Sequence, residues 1–211
     1  MKESVGKPLR VLIADDHLIV RMGLVTLLEN SPGITVVGEA EDGVETVRKV
    51  LSLKPDVVLM DLLMPLKDGV AATTEILAAL PRTRILILTS ASTSDGIAHA
   101  LRAGAAGALL KSADFSTLVS AIRTIAAGGT MIAPDIQRTL EEDPPIPDLT
   151  PRQEDILASV TRGLTNAEIA RQFGIRESSV KEHVNQICTK LGAANRAEAV
   201  AIALRKHLLK I

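Results

Sequence analysis

The sequence predicts an α/β domain with a flavodoxin-like, doubly wound, five-stranded parallel sheet, followed by a small all-α domain that contains a helix-turn-helix. Two observations predict this arrangement. Short apolar runs rich in β-branched residues alternate with longer amphipathic segments over residues 10–127, which is typical of β-α-β units. After a segment rich in proline and acidic residues, only helical periodicity remains.

The predicted strands are the short apolar runs Leu9–Ala14, Ile34–Glu39, Val57–Met60, Arg84–Leu88 and Ala106–Leu110. The predicted helices are the amphipathic segments His17–Glu29, Gly43–Leu53, Val70–Leu80, Ser94–Ala103 and Phe115–Ala127. Crossovers between parallel strands are right-handed, so the helices should cover both faces of the sheet. The flavodoxin-like strand order is the expected arrangement for five such strands.

The stretch from Gly128 to Thr150 separates the two predicted domains. Gly128 and Gly129 end a helix, Pro134 can begin a short helical piece, and three prolines and four acidic residues lie within 141–148. We therefore predict a first domain at residues 8–128, a linker at 129–148 and a second domain at 149–211, with the boundary near 141–148.

The second domain begins with a capping pattern, in which Thr150 is the N-cap, Pro151 takes the first helical position and Gln153 reaches back. Glycines are predicted to end three of its segments. The first helix is expected to end at Arg162, before Gly163, and the second to span Asn166–Phe173, before Gly174. The third should run from Glu177 to Leu191, before Gly192, and a fourth should follow Asn195. A short helix, a glycine turn and a longer helix make a helix-turn-helix.

The composition of the chain excludes several kinds of function. The chain has 211 residues, 46% of them hydrophobic, and a net charge of −1. Its sequence contains neither the roughly 18-residue apolar run of a membrane span nor the apolar core of a signal peptide, so a cytoplasmic location is expected. The single Cys188 cannot form an internal disulfide. Trp and Tyr are absent, which argues against base stacking on single strands. Residues 1–143 carry a net charge of −4 and residues 144–211 of +3, so the second segment suits an anionic partner better.

Three carboxylates are predicted to meet at one edge of the sheet. Asp61 ends the third strand, and Asp15 and Asp16 follow the first; these two strands are neighbours at the topological switch point of a flavodoxin-like sheet. Alone, Asp61 would be read as a helix cap or a loop residue. Three converging carboxylates repel one another and need a cation, and an oxygen-only ligand set suits Mg²⁺.

The fourth strand brings Thr89 to the same edge, and the fifth brings Lys111. A hydroxyl and an ammonium group facing a metal-bound carboxylate describe a site for phosphoryl oxygens, with Asp61 as the in-line nucleophile. The alternative is that all five side chains are strand-end caps and surface charges.

These residues, together with Met64-Pro65 and Asp68-Gly69, resemble the receiver domain of two-component response regulators over roughly residues 8–128. The resemblance implies that Asp61 accepts a phosphoryl group from a histidine kinase. It also implies that Asp16, Asp61 and the backbone carbonyl of Leu63 hold Mg²⁺, that Asp15 acts through water, and that Thr89 and Lys111 contact the phosphoryl oxygens.

One position departs from the family pattern. Receivers usually carry an aromatic residue two or three positions before the final lysine, whereas this segment reads Gly107-Ala108-Leu109-Leu110-Lys111. An aromatic rotation therefore cannot carry the response out of the domain. Our hypothesis is that movement of Thr89 and of the loop Ser90–Asp95 reshapes the surface directly.

Residues 149–211 resemble the LuxR-type helix-turn-helix. The motifs that carry the resemblance are Leu149-Thr150-Pro151-Arg152-Gln153, Gly163-Leu164-Thr165-Asn166-Ala167-Glu168-Ile169-Ala170 and Ser178-Ser179-Val180-Lys181-Glu182-His183-Val184. Together with the receiver, they indicate the NarL/FixJ class of transcriptional regulators.

Helical spacing turns Val180, Val184, Ile187 and Leu191 toward the core, which leaves the opposite face of the same helix for the major groove. Lys181 can approach guanine or a phosphate, Asn185 can pair with adenine, and Glu182 can accept from cytosine or remain a solvated charge. Arg171, Arg176 and Lys190 are the expected phosphate contacts.

One such domain makes few base contacts, so we expect a symmetric homodimer on double-stranded DNA. In this family the last helix commonly forms the dimer contact, which implies Ala199, Ile202, Ala203 and His207. The alternative is that these residues pack within their own domain.

The sequence therefore predicts a transcriptional regulator controlled by phosphorylation of Asp61, and not an enzyme beyond slow self-dephosphorylation. One rival is a regulator that binds DNA without phosphorylation, against which the complete set of pocket residues argues. A second rival is an aspartyl-phosphate phosphatase of the haloacid dehalogenase group. Such an enzyme needs a second aspartate two residues after the nucleophile, where this chain has Leu63.

Overall fold

The computed structural model describes residues 7–90, 94–142, 145, 149–206 and 208. The chain divides into two compact units, Met1–Pro144 and Pro145–Ile211. The first unit is α/β and the second is all-α. Among the described residues, no helix is both long enough and apolar enough to cross a membrane.

The sheet of the first unit is fully parallel. Its strands are β1 (Leu9–Ala14), β2 (Ile34–Ala40), β3 (Val57–Asp61), β4 (Arg84–Thr89), β5 (Gly107–Leu110) and β6 (Met131–Ile132). They lie in the order β2-β1-β3-β4-β5-β6, so the predicted flavodoxin-like order of the first five strands is confirmed. All five residues of the central strand β3 are buried, as its uninterrupted apolar run predicts.

The helices of the first unit are α1 (Leu18–Glu29), α2 (Gly43–Leu53), α3 (Gly69–Ala79), α4 (Ser94–Arg102), α5 (Phe115–Ala126) and α6 (Pro134–Glu142). The first five agree with the predicted helices to within one residue at each end. Aspartate side chains accept hydrogen bonds from backbone N–H groups at three helix starts, Asp42 for α2, Asp68 for α3 and Asp114 for α5. These short polar side chains therefore set where the helices begin.

The predicted count of five strands was wrong, because β6 adds a sixth beside β5. Met131 pairs with Gly107, and Ile132 with Ala108. A side chain at Gly107 would overlap the carbonyl oxygen of Met131, so glycine is what lets the extra strand approach. A two-residue strand is too short to show any periodicity.

The predicted linker at 129–148 also needs correction, because much of it belongs to the first unit. Residues 131–142 form β6 and α6, and Ile136 of α6 is fully buried in the core of the first unit. This burial holds the segment on the sheet. The structure divides the chain between Pro144 and Pro145.

The second unit consists of α7 (Pro151–Thr161), α8 (Asn166–Phe173), α9 (Glu177–Leu191) and α10 (Arg196–Arg205). The capping box of Thr150 and Gln153 is present as predicted. Gly174 and Gly192 end α8 and α9 with φ of 63° and 64°, a conformation that glycine adopts without strain. The core contains Ile156, Leu157, Ile169, Val180, Ile187 and Ala203, among others.

Candidate functional site

The structure brings the three predicted carboxylates together at the carboxyl edge of the sheet. Ala14 pairs with Met60, so the residues that follow, Asp15 and Asp61, lie side by side. Asp15 is 1% exposed and Asp61 4% exposed, whereas Asp16 lies at the surface. Oxygens of all three side chains lie within 4.8 Å of one another.

Lys111 joins the two buried carboxylates. Its Nζ is 2.6 Å from Oδ2 of Asp15 and 2.7 Å from Oδ2 of Asp61. The backbone N–H of Lys111 donates to the carbonyl of Thr89 at 2.8 Å, and Thr89 is buried at the end of β4. The hydroxyl-bearing and ammonium-bearing residues therefore stand on adjacent strand ends, beside the aspartates.

Burial raises the pKa of Asp61 above its ordinary value, and the charge of Asp15 adds to this effect, although Lys111 opposes it. Burial lowers the pKa of Lys111, but its hydrogen bonds with Asp15 and Asp61 outweigh burial and leave that pKa raised. The ammonium group therefore stays charged and partly neutralises a carboxylate pair that would otherwise repel strongly.

Sequence reasoning missed two residues of this edge. Nδ1 of His17 lies 2.6 Å from Oδ1 of Asp16, and His17 belongs to the same cluster of possible metal ligands. Arg21 is buried, and its Nη1 donates to the carbonyl of Asp15 at 2.6 Å. The position of His17 directly after two aspartates could have identified it, whereas Arg21 looks like an ordinary helix residue.

The donor set fits a hard divalent cation. Carboxylate oxygens dominate it, and Asp16 lies at the surface, where bound water can complete the coordination of the ion. Leu63, predicted to offer its carbonyl, lies two residues after Asp61 in the β3–α3 loop, next to Leu62, whose carbonyl accepts from Gly69. The nitrogen of His17 is a softer ligand than Mg²⁺ prefers.

The β3–α3 loop contains a strained leucine. Leu66 has φ of 63° and is 84% exposed, so packing does not compensate for the left-handed backbone. The N–H of Lys67 donates to the carbonyl of Pro65 at 2.6 Å, across Leu66. A side chain costs about 1–2 kcal/mol in this conformation, and burial of the Leu66 side chain does not offset that cost.

Replacing Leu66 with glycine is expected to raise the free energy of unfolding by about 1 kcal/mol, because glycine adopts positive φ without strain. Urea unfolding followed by circular dichroism would measure the change. Leu63→Gly is the matched control, since Leu63 lies in the same loop without a positive φ; that variant should lose stability. A loss in both variants would contradict the strain argument.

The loop Ser90–Asp95 is described only at its two ends, because residues 91–93 lie outside the described residues. A response through Thr89 and this loop therefore stays a hypothesis. Ala108, which replaces the usual aromatic residue, is fully buried and pairs with Ile132 of β6. The sixth strand thus lies directly against this position.

In the second unit, the outward face of α9 and the start of α7 form an open groove of about 720 Å³. It is lined by Gln153, Ser178, Lys181, Glu182, Asn185, Gln186, Thr189 and Lys190. Four predicted DNA-contacting residues, Lys181, Glu182, Asn185 and Lys190, therefore share one surface, and Lys181 is paired with Glu177 at 3.2 Å. Arg171 and Arg176 are also exposed, on α8 and at the N-cap of α9.

The prediction that residues of the last helix form a dimer contact needs correction, because the described ones pack within their own unit. Ala199, Ile202 and Ala203 are 2%, 8% and 0% exposed, because they form the face of α10 that packs on α7 and α9. His207 lies outside the described residues. The exposed apolar residues of α10 are Ala197, Ala201 and Leu204, spaced along one side of the helix.

A parallel sheet with an aspartate-lysine cluster at its carboxyl edge, joined to a helix-turn-helix unit, defines a signalling domain coupled to a DNA-binding domain. Comparison with known families agrees. Residues 11–123 match the response regulator receiver domain, and residues 147–203 match the bacterial regulatory proteins of the luxR family. The chain belongs to the two-component response regulators that combine a receiver domain with a LuxR-type DNA-binding domain, and it is a transcriptional regulator.

Similar proteins have the same organisation over almost their whole length. The transcriptional regulatory protein LiaR of Bacillus subtilis (strain 168) is 38% identical over 209 residues, which are 95% of this chain and 99% of LiaR. The crystal structure of ChrA, a response regulator of a heme-sensing two-component system, is 36% identical, with a TM-score of 0.58 over 96% of this chain and 100% of that one. RcsB of Salmonella enterica serovar Typhimurium, solved bound to a promoter with the phosphomimetic BeF₃⁻, is 26% identical, with a TM-score of 0.68 over 94% of this chain and 98% of that one.

Proposed function

We propose that Asp61 accepts the phosphoryl group that controls this regulator. The observation that carries the proposal is the pairing of a buried carboxylate at the end of β3 with Lys111, at 2.7 Å, beside Asp15 and Thr89. In the transfer, an oxygen of Asp61 attacks phosphorus and the bond to the donor's leaving group breaks. Lys111 and the hydroxyl of Thr89 then bind the transferred phosphoryl oxygens.

The same pocket is proposed to hold Mg²⁺ through Asp15, Asp16, Asp61 and the carbonyl of Leu63. The ion, when bound, neutralises charge on the carboxylates and on the incoming phosphoryl group. Lys111 contributes to the same neutralisation through its contacts with Asp15 and Asp61. His17, paired with Asp16, must turn aside or join the ligand set.

We propose a histidine kinase as the phosphoryl donor. A protein donor must contact the surface beside Asp61, and that surface is unusually apolar. Leu18, Ile19 and Met22 of α1 are 58%, 85% and 58% exposed, directly after His17. On the other side, Leu63 and Leu66 are 67% and 84% exposed in the loop that follows Asp61. These exposed side chains offer apolar contacts to such a donor, and Leu66 is one of them.

The second unit is proposed to bind double-stranded promoter DNA with α9 in the major groove. Lys181, Glu182 and Asn185 are placed to contact base edges, while Arg171, Arg176 and Lys190 contact phosphates. RcsB, a similar response regulator, was solved bound to a promoter, which supports promoter DNA as the partner.

Two copies are proposed to bind together, through the exposed side of α10 that carries Ala197, Ala201 and Leu204. Small residues allow two helices to approach closely, and Leu204 is 47% exposed. A symmetric pair would place two α9 helices on two half-sites of DNA.

The protein is proposed to catalyse no turnover beyond loss of its own phosphoryl group, and to act in the cytoplasm, where promoter DNA is found. Its response is a shift between two existing states, in which the phosphorylated state has the higher affinity for DNA.

The full chain, incubated with acetyl phosphate and Mg²⁺, should gain one phosphoryl group by intact mass and bind a duplex more tightly. The duplex is selected by the treated wild type from a random-sequence pool, and light scattering on it measures the number of copies bound. Asp61→Ala is the control and should show neither response. An equal response from the variant would overturn the assignment of Asp61. Tight binding by the wild type without acetyl phosphate would instead favour the rival that needs no phosphorylation.

A further inference from the structure

Gln153 is a buried polar residue that joins the start of α7 to the outward face of α9. It is only 4% exposed. Its Oε1 accepts from the N–H of Thr150 at 3.0 Å, as part of the capping box, and from Nζ of Lys190 at 2.8 Å. Its Nε2 donates to Oε1 of Gln186 at 3.1 Å. A residue predicted only as a helix cap therefore directs two of its three hydrogen bonds to another helix.

These bonds hold the side chain of Gln186 in one orientation. Gln186 is exposed on α9, one turn after Glu182 and one turn before Lys190. Its Nε2 donates to Oε1 of Glu182 at 3.4 Å, while its Oε1 accepts from Gln153. If this amide rotated by half a turn, its NH₂ group would face the NH₂ group of Gln153, and its oxygen would face the carboxylate of Glu182. Two donors and two acceptors would then oppose each other, and both hydrogen bonds would be lost. The network therefore favours one orientation of the Gln186 amide.

We infer that Gln153 is a positioning residue that sets the DNA sequence preference of the recognition helix. The inference rests on the proposed entry of α9 into the major groove. Base pairs differ there in their order of donors and acceptors, so an amide held in one orientation offers a single pattern, whereas an amide free to rotate offers two. Gln153 does not contact DNA itself; it acts on the sequence preference through Gln186.

The same bonds lower the entropy lost on binding. Glutamine and lysine have many rotamers, and ordering them in a complex opposes association. Because Gln153 orders Gln186 in the free protein, the gain belongs to complexes in which Gln186 meets a matching base edge. Binding to any duplex through phosphates alone gains little from an ordered amide.

The test compares Gln153→Met with the wild type, both as full chains treated with acetyl phosphate and Mg²⁺. The probes are the duplex that the wild type selects from a random-sequence pool and a scrambled duplex of the same composition. Methionine keeps the volume and removes all three hydrogen bonds. Affinity for the selected duplex should fall about tenfold, the scale of one lost base contact, and affinity for the scrambled duplex should change by less than about twofold.

Two further variants separate positioning from capping. Gln153→Glu still accepts from Thr150 and Lys190 but cannot donate to Gln186, so repeating the selection with it should give a different base preference at the positions that face Gln186. Thr150→Ala removes the hydroxyl that accepts from the N–H of Gln153 at 3.3 Å and leaves the bonds to α9 intact. This variant should lose stability and keep the wild-type ratio of the two affinities.

The outcomes are distinct. If the wild type selects no sequence from the pool, the proposed base reading by α9 fails, and the inference fails with it. If the wild type selects a sequence, the inference alone is overturned by any of three results: Gln153→Met weakens both duplexes equally, Gln153→Glu selects the wild-type sequence, or Thr150→Ala reproduces the loss of preference.

Discussion

Replacing Lys111 with methionine is expected to lower the free energy of unfolding of the receiver unit by about 3–5 kcal/mol near neutral pH. Nζ of Lys111 lies 2.6 Å from Asp15 and 2.7 Å from Asp61, whose side chains are only 2% and 5% exposed. Methionine retains the apolar stem but removes the charge, so two buried carboxylates would face each other without a cation. Removing one partner of a buried ionic cluster costs more than the cluster contributes when intact, because the remaining charge stays desolvated.

The loss should depend on pH in a defined direction. Burial already raises the pKa of Asp61, and Lys111 is the group that opposes this rise. When the pKa of a carboxyl group is higher in the folded than in the unfolded state, the free energy of unfolding falls as the pH rises through the folded pKa. The difference between variant and wild type should therefore be smaller at pH about 5 than at pH about 8, because protonation of Asp61 removes the repulsion.

Hydrogen exchange of the β3 amides would measure this loss in the receiver unit alone. Circular dichroism would follow the full chain, which has no Trp or Tyr to report by fluorescence. Lys67→Met is the matched control, since Lys67 pairs with Glu75 on the surface, where the carboxylate is 53% exposed; its loss should stay below about 1 kcal/mol. Equal losses in both variants, or a loss independent of pH, would contradict the account of the cluster.

The position of the pocket could be predicted because local sequence and sheet topology together determine it. Asp61 and Lys111 each follow an apolar run of strand length, and parallel strands of a doubly wound sheet end at the same edge. The order of the strands then makes Asp15 a neighbour of Asp61. None of these steps needs the conformation of a side chain, which is why a sequence is sufficient for them.

What could not be predicted depends on contacts between residues that lie far apart in the sequence. The strand β6 contains two residues and exists because Gly107 leaves room for Met131, a relationship that no periodicity reveals. Arg21 contributes to the pocket only because its long side chain turns back to the carbonyl of Asp15. Such contacts depend on how distant segments pack together in three dimensions, which local sequence patterns do not report.

The last helix shows a different limit. Periodicity correctly finds an apolar face on α10, but it cannot say whether that face meets its own domain or another copy. Ala199 and Ala203 meet their own core. The second side, with Ala197 and Ala201, consists of small residues that sequence patterns do not separate from a solvent-exposed surface.

Replacing Gly69 with alanine is expected to destabilise the receiver unit by about 3 kcal/mol and to slow phosphorylation of Asp61 by about a hundredfold. Gly69 begins α3, and its N–H donates to the carbonyl of Leu62 at 2.9 Å. A methyl group here would overlap the carbonyl oxygen of Asp61 and would lie 3.1 Å from Cα of Leu62. Both neighbours are backbone atoms, so the clash can be relieved only by moving the end of β3, which carries the reacting carboxylate.

Gly23→Ala is the matched control for that substitution. Gly23 lies within α1 of the same unit, where a methyl group would meet nothing within 4 Å, so alanine should stabilise the helix by up to about 1 kcal/mol. Hydrogen exchange of the β3 amides and the rate of phosphoryl incorporation from acetyl phosphate measure the two effects in each variant. If Gly69→Ala kept both the wild-type stability and the wild-type rate, the close approach of α3 would not hold Asp61 in place. The pairing of β3 with its neighbouring strands and the contact with Lys111 would then have to account for the position of the carboxylate.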